Sequence, residues 1–170
     1  AVNQVEKPYL SINNLNRLYQ INFISHALMT LNLINYYPDA RYVFISSILS
    51  NTFFCDFDMF EIDSMKYFTK NSISSIDYGL SKYYMNIFCK YINSKHGVDS
   101  FSIEPGFVKS TNMNINRNKY IIKMNEIFIT NSNSMDQTIQ FLISNIFTKS
   151  KSSGDLLKFN GDTINDYSEY

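Results

Sequence analysis

The sequence predicts an α/β fold of one domain, residues 1-170, in which helices alternate with the strands of a parallel sheet. Three observations favour this fold. Apolar residues recur at helical spacing between residues 15 and 37. A short β-branched and aromatic run at residues 41–47 is typical of a buried strand. A second helical segment then leads to another predicted strand at residues 98–103.

The first half of the chain is expected to contain two helices and one strand. The helix over residues 15–37 ends at Pro38, because proline cannot continue a helix. The strand over 41–47 follows it. Residues 51–75 form a polar and aromatic connection without a clear period, long enough to suggest a function. The next helix spans residues 77–95 and ends at His96-Gly97.

The second half is expected to alternate in the same way. The strand over 98–103 is broken by Pro105-Gly106. Residues 107–133 are irregular and Asn-rich, with a short helix near 121–128. A helix over 135–147 and a final strand over 156–159 complete the prediction.

Composition and charge exclude several classes of function. Zero formal net charge and a pI near 6.9 leave no basic patch for nucleic acid. The two cysteines, Cys55 and Cys89, lack zinc-site spacing and are too few for a disulfide framework, so we expect an intracellular reducing compartment. No apolar run approaches the roughly 20 residues of a membrane-spanning helix.

Tyr78 and Lys82 are the strongest candidates for chemistry. Side chains four residues apart share a helix face, so the Lys82 ammonium can lie near the Tyr78 hydroxyl. A positive charge about 5 Å from a phenol favours the phenolate by roughly 3 kcal/mol at an effective dielectric of about 20. The same spacing recurs in Tyr91 and Lys95. Thirteen residues at about 100° each turn Tyr91 away from Tyr78, so only one pair can face a common site.

The order of these residues resembles the carboxyl-terminal part of the short-chain dehydrogenase/reductase family. Asn22 in a helix, Ser47 at a strand end, then Tyr78 and Lys82 on the next helix, precede a Pro-Gly loop over residues 105–110. The resemblance covers most of the chain and implies the carboxyl-terminal part of a doubly wound (Rossmann) parallel sheet.

Two further segments are similar to the retinol-dehydrogenase-like and WW-domain-oxidoreductase-like branch of that family. One is the long connection with Asp56-Phe57-Asp58-Met59 followed by Lys66-Tyr67. The other is Lys151-Ser152-Ser153-Gly154-Asp155 before the last strand. This branch implies a hydrophobic alcohol or carbonyl as the small substrate.

The resemblance implies a role for each matched residue. Tyr78 would exchange a proton with the substrate oxygen, and Ser47 would hold that oxygen. Lys82 would lower the pKa of Tyr78 and contact the ribose of NADP or NAD, while Asn22 would keep a water in place for proton relay. The cofactor-binding residues would be Tyr78 and Lys82 together with the loop residues Pro105, Gly106, Val108 and Ser110.

The family's glycine-rich turn has no counterpart among the five glycines of this chain. Its Asn-Asn-Ala-Gly segment would fall near Ala1-Val2. The resemblance therefore implies a fragment or truncated gene model that lacks the first strands and is inactive alone. A membrane attachment would lie in the missing amino-terminal segment.

Each matched residue also has a purely structural interpretation. Asn22 could be a hydrogen-bonded core amide, Ser47 could simply end a strand, and Pro105-Gly106 could be only a turn. The carboxylates of residues 56, 58, 61 and 63 are more typical of a solvated loop than of a metal site, so no metal is expected. Neither His26 nor His96 has a ligand partner nearby in sequence.

Three hypotheses follow. The first is an NAD(P)-dependent oxidoreductase represented by its catalytic half. The second is a non-catalytic interaction module, because the helices near 15-37 and 77-95 correspond to those that often form a homodimer interface in this family. The third, another doubly wound enzyme such as a methyltransferase, leaves Tyr78 and Lys82 unexplained.

Overall fold

The structure, a computed structural model, describes residues 15–51, 74–108, 133–147, 154–159 and 163–164. They form an α/β fold around a sheet whose strands lie in the order β1-β2-β3-β4. The strands are β1 (Tyr42–Ile45), β2 (Ser100–Glu104), β3 (Leu156–Lys158) and β4 (Thr163–Ile164).

Parallel pairing joins the first three strands. Tyr42 pairs with Ser100 and Ile45 with Ile103, and Ser102 pairs with Leu156 on the other side of β2. Because both neighbours of β2 are parallel to it, the described part of the sheet has the arrangement of a partial Rossmann-like fold. Strand β4 pairs antiparallel with β3 and was not predicted from the sequence.

The helices are α1 (Arg17–Tyr19), α2 (Ser25–Ile34), α3 (Ser74–His96) and α4 (Met135–Phe147). A π-helical turn, Gln20–Ile24, joins α1 to α2, and a 3-10 turn, Ile48–Asn51, follows β1. The predicted helix over 15–37 is observed as a continuous helical segment over residues 17–34, formed by α1, the π turn and α2, and it ends before Pro38. This segment is called the α2 rod below. The predicted short helix near 121–128 lies outside the described residues, as do residues 52–73 of the predicted connection. The two ends of that connection, predicted over 51–75, are instead helical: Asn51 ends the 3-10 turn, and residues 74–75 begin α3.

Helix α3 packs on the sheet and on the α2 rod through a core of aliphatic and aromatic side chains. Phe44 of β1 meets Phe88 of α3 edge to face, with ring centroids 5.9 Å apart. Tyr84 stacks near Phe23 at 5.7 Å. Burying these rings removes a large apolar area from water and fixes α3 against the strand ends.

Among the described residues, no helix is both long and apolar enough to cross a lipid bilayer.

Candidate functional site

Helix α3 presents Tyr78 and Lys82 on one buried face. Their exposed fractions are 5% and 3%, and Lys82 Nζ lies 5.8 Å from the centroid of the Tyr78 ring. Tyr91 of the second copy is 48% exposed, and Lys95 is exposed too. The first pair is therefore the one enclosed by the fold.

Lys82 reaches from α3 to the carboxyl end of the sheet. Its Nζ donates a hydrogen bond of 2.6 Å to the backbone oxygen of Ile45, the last residue of β1. Burial lowers the pKa of Lys82 from 10.5 to about 8, because an ammonium removed from water is disfavoured. At neutral pH the group is still mainly charged.

Ser47 lies two residues after Ile45, which ends β1. The Lys82 ammonium, bound to the Ile45 carbonyl oxygen, is therefore at the same end of this strand as Ser47. The Ser47 hydroxyl accepts a hydrogen bond of 3.3 Å from the Leu49 amide. The neighbouring Ser46 is buried, and its hydroxyl donates to Ser50 at 3.3 Å. Ser47 is only half-buried, so it is the more accessible of the two serines.

Asn22 lies in the π-helical turn and is buried against α3. Its Nδ2 donates a hydrogen bond of 3.2 Å to the Ser81 hydroxyl, which in turn donates to the Tyr78 carbonyl oxygen at 2.7 Å. The structure thus links Asn22 to the tyrosine's own helical turn through Ser81. Ser81 was not predicted from the sequence, although it is a polar residue directly before Lys82.

The loop after β2 carries the other predicted residues. Gly106 has φ of +70°, a left-handed conformation that glycine adopts without strain. Asn133 Nδ2 donates to the Pro105 carbonyl oxygen at 3.2 Å, and the Asn133 amide donates to Phe107 at 2.7 Å. Val108 forms a parallel bridge with Asn133.

Asn133 therefore ties down the loop that begins at Pro105. Sequence reasoning missed it, because a single asparagine in an Asn-rich chain forms no pattern. Ser110 lies outside the described residues, as do Asp56 to Asp63 of the connection.

Glu104 ends β2 at the same edge of the sheet. Its side chain is buried, and burial raises the pKa of the carboxyl, while the positive charge of Lys158 acts in the opposite direction. Burial has the opposite effect on a base, and it lowers the pKa of His26. His96 is exposed. Within the described ranges no group of His, Cys, Asp or Glu could hold a metal ion.

The Lys82 ammonium at the strand end still has hydrogen-bond donors for a ligand. An ammonium has three N–H donors, and the hydrogen bond to Ile45 uses one of those on Lys82. The remaining donors can serve ribose hydroxyls. For the diphosphate, the sequence offers no glycine-rich turn.

No protein-family model matches the chain, and no curated protein matches it. Among solved structures, an NADPH-bound carbonyl reductase from chicken fatty liver is similar in fold, with a TM-score of 0.57 and 16% sequence identity. The likeness covers 96% of this chain and 64% of the reductase. The chain therefore shares the fold of this reductase over the matched part, and it spans less than two thirds of the reductase's length.

Proposed function

We propose that this chain is the catalytic part of an NAD(P)-dependent oxidoreductase that interconverts a hydrophobic alcohol and its carbonyl. One observation carries the proposal: a buried lysine lies 5.8 Å from the Tyr78 ring centroid and donates to the strand end that precedes Ser47. The fold's likeness to a carbonyl reductase supports it. So do the matched motifs, which favour the retinol-dehydrogenase-like branch.

In carbonyl reduction, the Tyr78 hydroxyl donates a proton to the substrate oxygen, and in alcohol oxidation the phenolate removes one. The nearby positive charge of Lys82 favours the phenolate. Ser47 donates a hydrogen bond to the same oxygen and so holds the substrate in place for the proton transfer. Asn22 keeps a water in place for the proton to leave by way of Lys82.

The cofactor, NADP or NAD, supplies the hydride when bound. Lys82 and Tyr78 would contact its ribose, and the loop with Pro105, Gly106 and Val108 would lie against the nicotinamide. Ser110 would lie nearby. The diphosphate needs a glycine-rich turn from residues that this sequence does not contain, so we propose that activity requires them.

The test replaces Tyr78 with phenylalanine in the full-length gene product. Reduction of a panel of hydrophobic aldehydes and ketones is followed by NADPH consumption, with Tyr91→Phe as the matched control. Tyr78→Phe should lower kcat at least 100-fold while cofactor affinity changes little, because only the proton donor is lost. Turnover that persists in Tyr78→Phe excludes the proposed role.

A second candidate is a non-catalytic interaction module, acting as a homodimer through the helices near 15-37 and 77-95. One observation favours it: large apolar side chains are exposed along α2 and the following turn, and on α3, namely Leu28, Met29, Leu33, Tyr36, Tyr37 and Tyr91. Sedimentation of the chain decides it. The interaction module is favoured if the chain is a dimer, if Leu28→Glu and Met29→Glu convert it to a monomer, and if the parent protein does not reduce carbonyl compounds.

A small hydrophobic substrate and no nucleic acid agree with the neutral charge balance of the chain. We propose an intracellular reducing compartment, as expected for a chain with only two cysteines.

A further inference from the structure

Helix α3 contains two copies of the pattern Tyr-x-x-Ser-Lys, at residues 78–82 and 91–95. In both copies the serine hydroxyl donates to the carbonyl oxygen of the tyrosine three residues earlier. The distance is 2.7 Å from Ser81 to Tyr78 and 3.1 Å from Ser94 to Tyr91. Within the helix the two serines therefore have the same local geometry.

The two copies differ in the surroundings of the serine hydroxyl outside the helix. Ser81 is fully buried and accepts a hydrogen bond of 3.2 Å from Asn22 Nδ2 of the π turn. Ser94 is exposed to solvent. Only the copy at 78–82 is thus joined to the α2 rod by its serine.

The π turn places Asn22 for this contact. Such a turn widens the backbone hydrogen-bonding pattern and is frequent at functional sites. The Ser25 hydroxyl donates to the carbonyl oxygens of Gln20 and Ile21, so carbonyls of the turn gain a side-chain donor. This arrangement stabilises the turn and, with it, the position of Asn22.

A second buried hydrogen bond lies one helical turn earlier. Asn16 Nδ2 donates to the Asp77 carboxylate at 3.0 Å. Asp77 and Ser81 are four residues apart, as are Tyr78 and Lys82, so the two pairs form adjacent stripes on α3. Hydrogen bonds to one stripe fix the rotation of the helix and therefore the direction of the other.

We propose that Ser81 is a positioning residue for the Tyr78/Lys82 pair, coupling the helix that carries them to Asn22 in the π turn. The proposal rests on the oxidoreductase function proposed above. Ser81 itself touches neither substrate nor cofactor. Its hydroxyl accepts a hydrogen bond from the Asn22 amide and donates one to the Tyr78 carbonyl oxygen. The contact with Asn22 therefore restrains the helical turn that carries Tyr78.

The sensitivity of proton transfer to distance gives this coupling a kinetic consequence. Displacing a reacting group by about 1 Å can cost about 100-fold in rate. Lys82 is constrained from the other side by its 2.6 Å hydrogen bond to Ile45. Loss of the Ser81 contact should therefore disturb both the Tyr78 hydroxyl and the environment of the Lys82 ammonium.

The experiment compares Ser81→Ala, Ser81→Thr and the matched control Ser94→Ala in the full-length gene product with NADPH. Ser81→Ala should lower kcat about 10- to 100-fold, change KM less than about twofold and shift the pH profile of kcat. Ser81→Thr retains the hydroxyl and should recover most of the rate. Ser94→Ala should leave all three unchanged.

A second readout is independent of turnover. The pH midpoint for acetylation of Lys82, read by peptide mass spectrometry, is expected near 8 in the parent protein. It should rise in Ser81→Ala, because a loosened helix lets water reach the amine. If Ser81→Ala does not fold, Ser81→Cys replaces it, because a thiol has nearly the size of the hydroxymethyl group but forms only weak hydrogen bonds.

Unchanged kcat and an unchanged Lys82 midpoint in folded Ser81→Ala would overturn the proposal. Equal effects in Ser94→Ala would also overturn it, because they would reflect only the local bond within the helix. A parent protein that reduces no carbonyl contradicts the proposed function instead, and the Lys82 midpoint then still decides whether Ser81 couples Asn22 to this turn.

Discussion

The Lys82 ammonium donates a 2.6 Å hydrogen bond to the backbone oxygen of Ile45, which joins α3 to the end of β1. A lysine is rarely buried to this degree unless it is paired or has a function. Here the hydrogen bond satisfies one donor of the ammonium while the charge is held beside the Tyr78 ring. Burial of the ammonium, which removes it from water, lowers the pKa of Lys82 to about 8.

Replacing Lys82 with methionine should stabilise the fold at neutral pH. Below pH 8 the lysine is charged in the folded and unfolded states, so folding incurs its full desolvation cost, about 3 kcal/mol for a pKa lowered from 10.5 to about 8. The lost hydrogen bond to Ile45 offsets part of the gain. We expect a net increase of about 1–2 kcal/mol in the free energy of unfolding at pH 7, measured in urea.

The pH dependence provides the control for this prediction. Between pH 8 and 10.5 the folded state releases the Lys82 proton while the unfolded state retains it, so parent stability receives a contribution that rises with pH. Lys82→Met should lack that rise, and the surface variant Lys95→Met should keep it. Equal slopes for the parent protein and Lys82→Met would contradict the lowered pKa.

Gly106 and Gly97 offer a matched pair for testing the loop after β2. Both have positive φ, +70° and +68°, so alanine is strained at either position. A Cβ on Gly106 would also lie 2.8 Å from Asn133 Nδ2, whereas a Cβ on Gly97 would meet nothing within 4 Å. Gly97→Ala should cost about 1 kcal/mol.

Gly106→Ala should cost about 1–2 kcal/mol more than Gly97→Ala, because Asn133 must move and weaken its hydrogen bond to Pro105. Thermal and urea unfolding of both variants measure the difference. If both variants lose the same free energy of unfolding, then Asn133 can move away from the new Cβ without loss of stability, and its hydrogen bond to Pro105 does not stabilise the loop.

Cys89 should be unreactive in the folded protein. Burial raises the pKa of its thiol to about 11, and the side chain has no exposed surface. In a Cys55→Ser background, alkylation by iodoacetamide at pH 8 should be at least 100-fold slower than in 6 M urea. Native alkylation at the rate of an unfolded thiol would contradict the packing of Cys89 against β2.

Arg41 connects three elements and should matter more than an ordinary surface charge. Its Nε donates to Asp99 at 2.6 Å, its Nη1 donates to the Ile146 carbonyl oxygen at 3.0 Å, and its guanidinium lies 5.8 Å from the Phe101 centroid. Arg41→Lys should lower the free energy of unfolding by about 1–2 kcal/mol, because lysine cannot reproduce the forked geometry.

The partner variant Asp99→Asn isolates the ion pair from the other two contacts. Asp99 is partly exposed, so solvent screens this pair, and removing the charge should cost less than about 1 kcal/mol. If Asp99→Asn costs as much as Arg41→Lys in urea unfolding, the contacts with Ile146 and Phe101 contribute nothing measurable.

The sequence by itself determined the alternation of helices and strands. Hydrophobic periodicity and local breakers are properties of neighbouring residues, so Met135–Phe147 matched its prediction and α3 began three residues early. The preference for Tyr78/Lys82 over Tyr91/Lys95 agrees with their burial. Their catalytic roles, and the convergence of the Ser47 and Tyr78 hydroxyls, stay predictions.

Tertiary structure alone decided which groups meet across elements. Asn22 and Ser81 are 59 residues apart, Lys82 and Ile45 are 37 apart, and Pro105 and Asn133 are 28 apart. None of these pairs follows from local spacing, because helix and strand periods fix only which face a side chain occupies. The partner on that face depends on how α3 packs against the π turn and the strand ends, which the summed burial of many side chains determines.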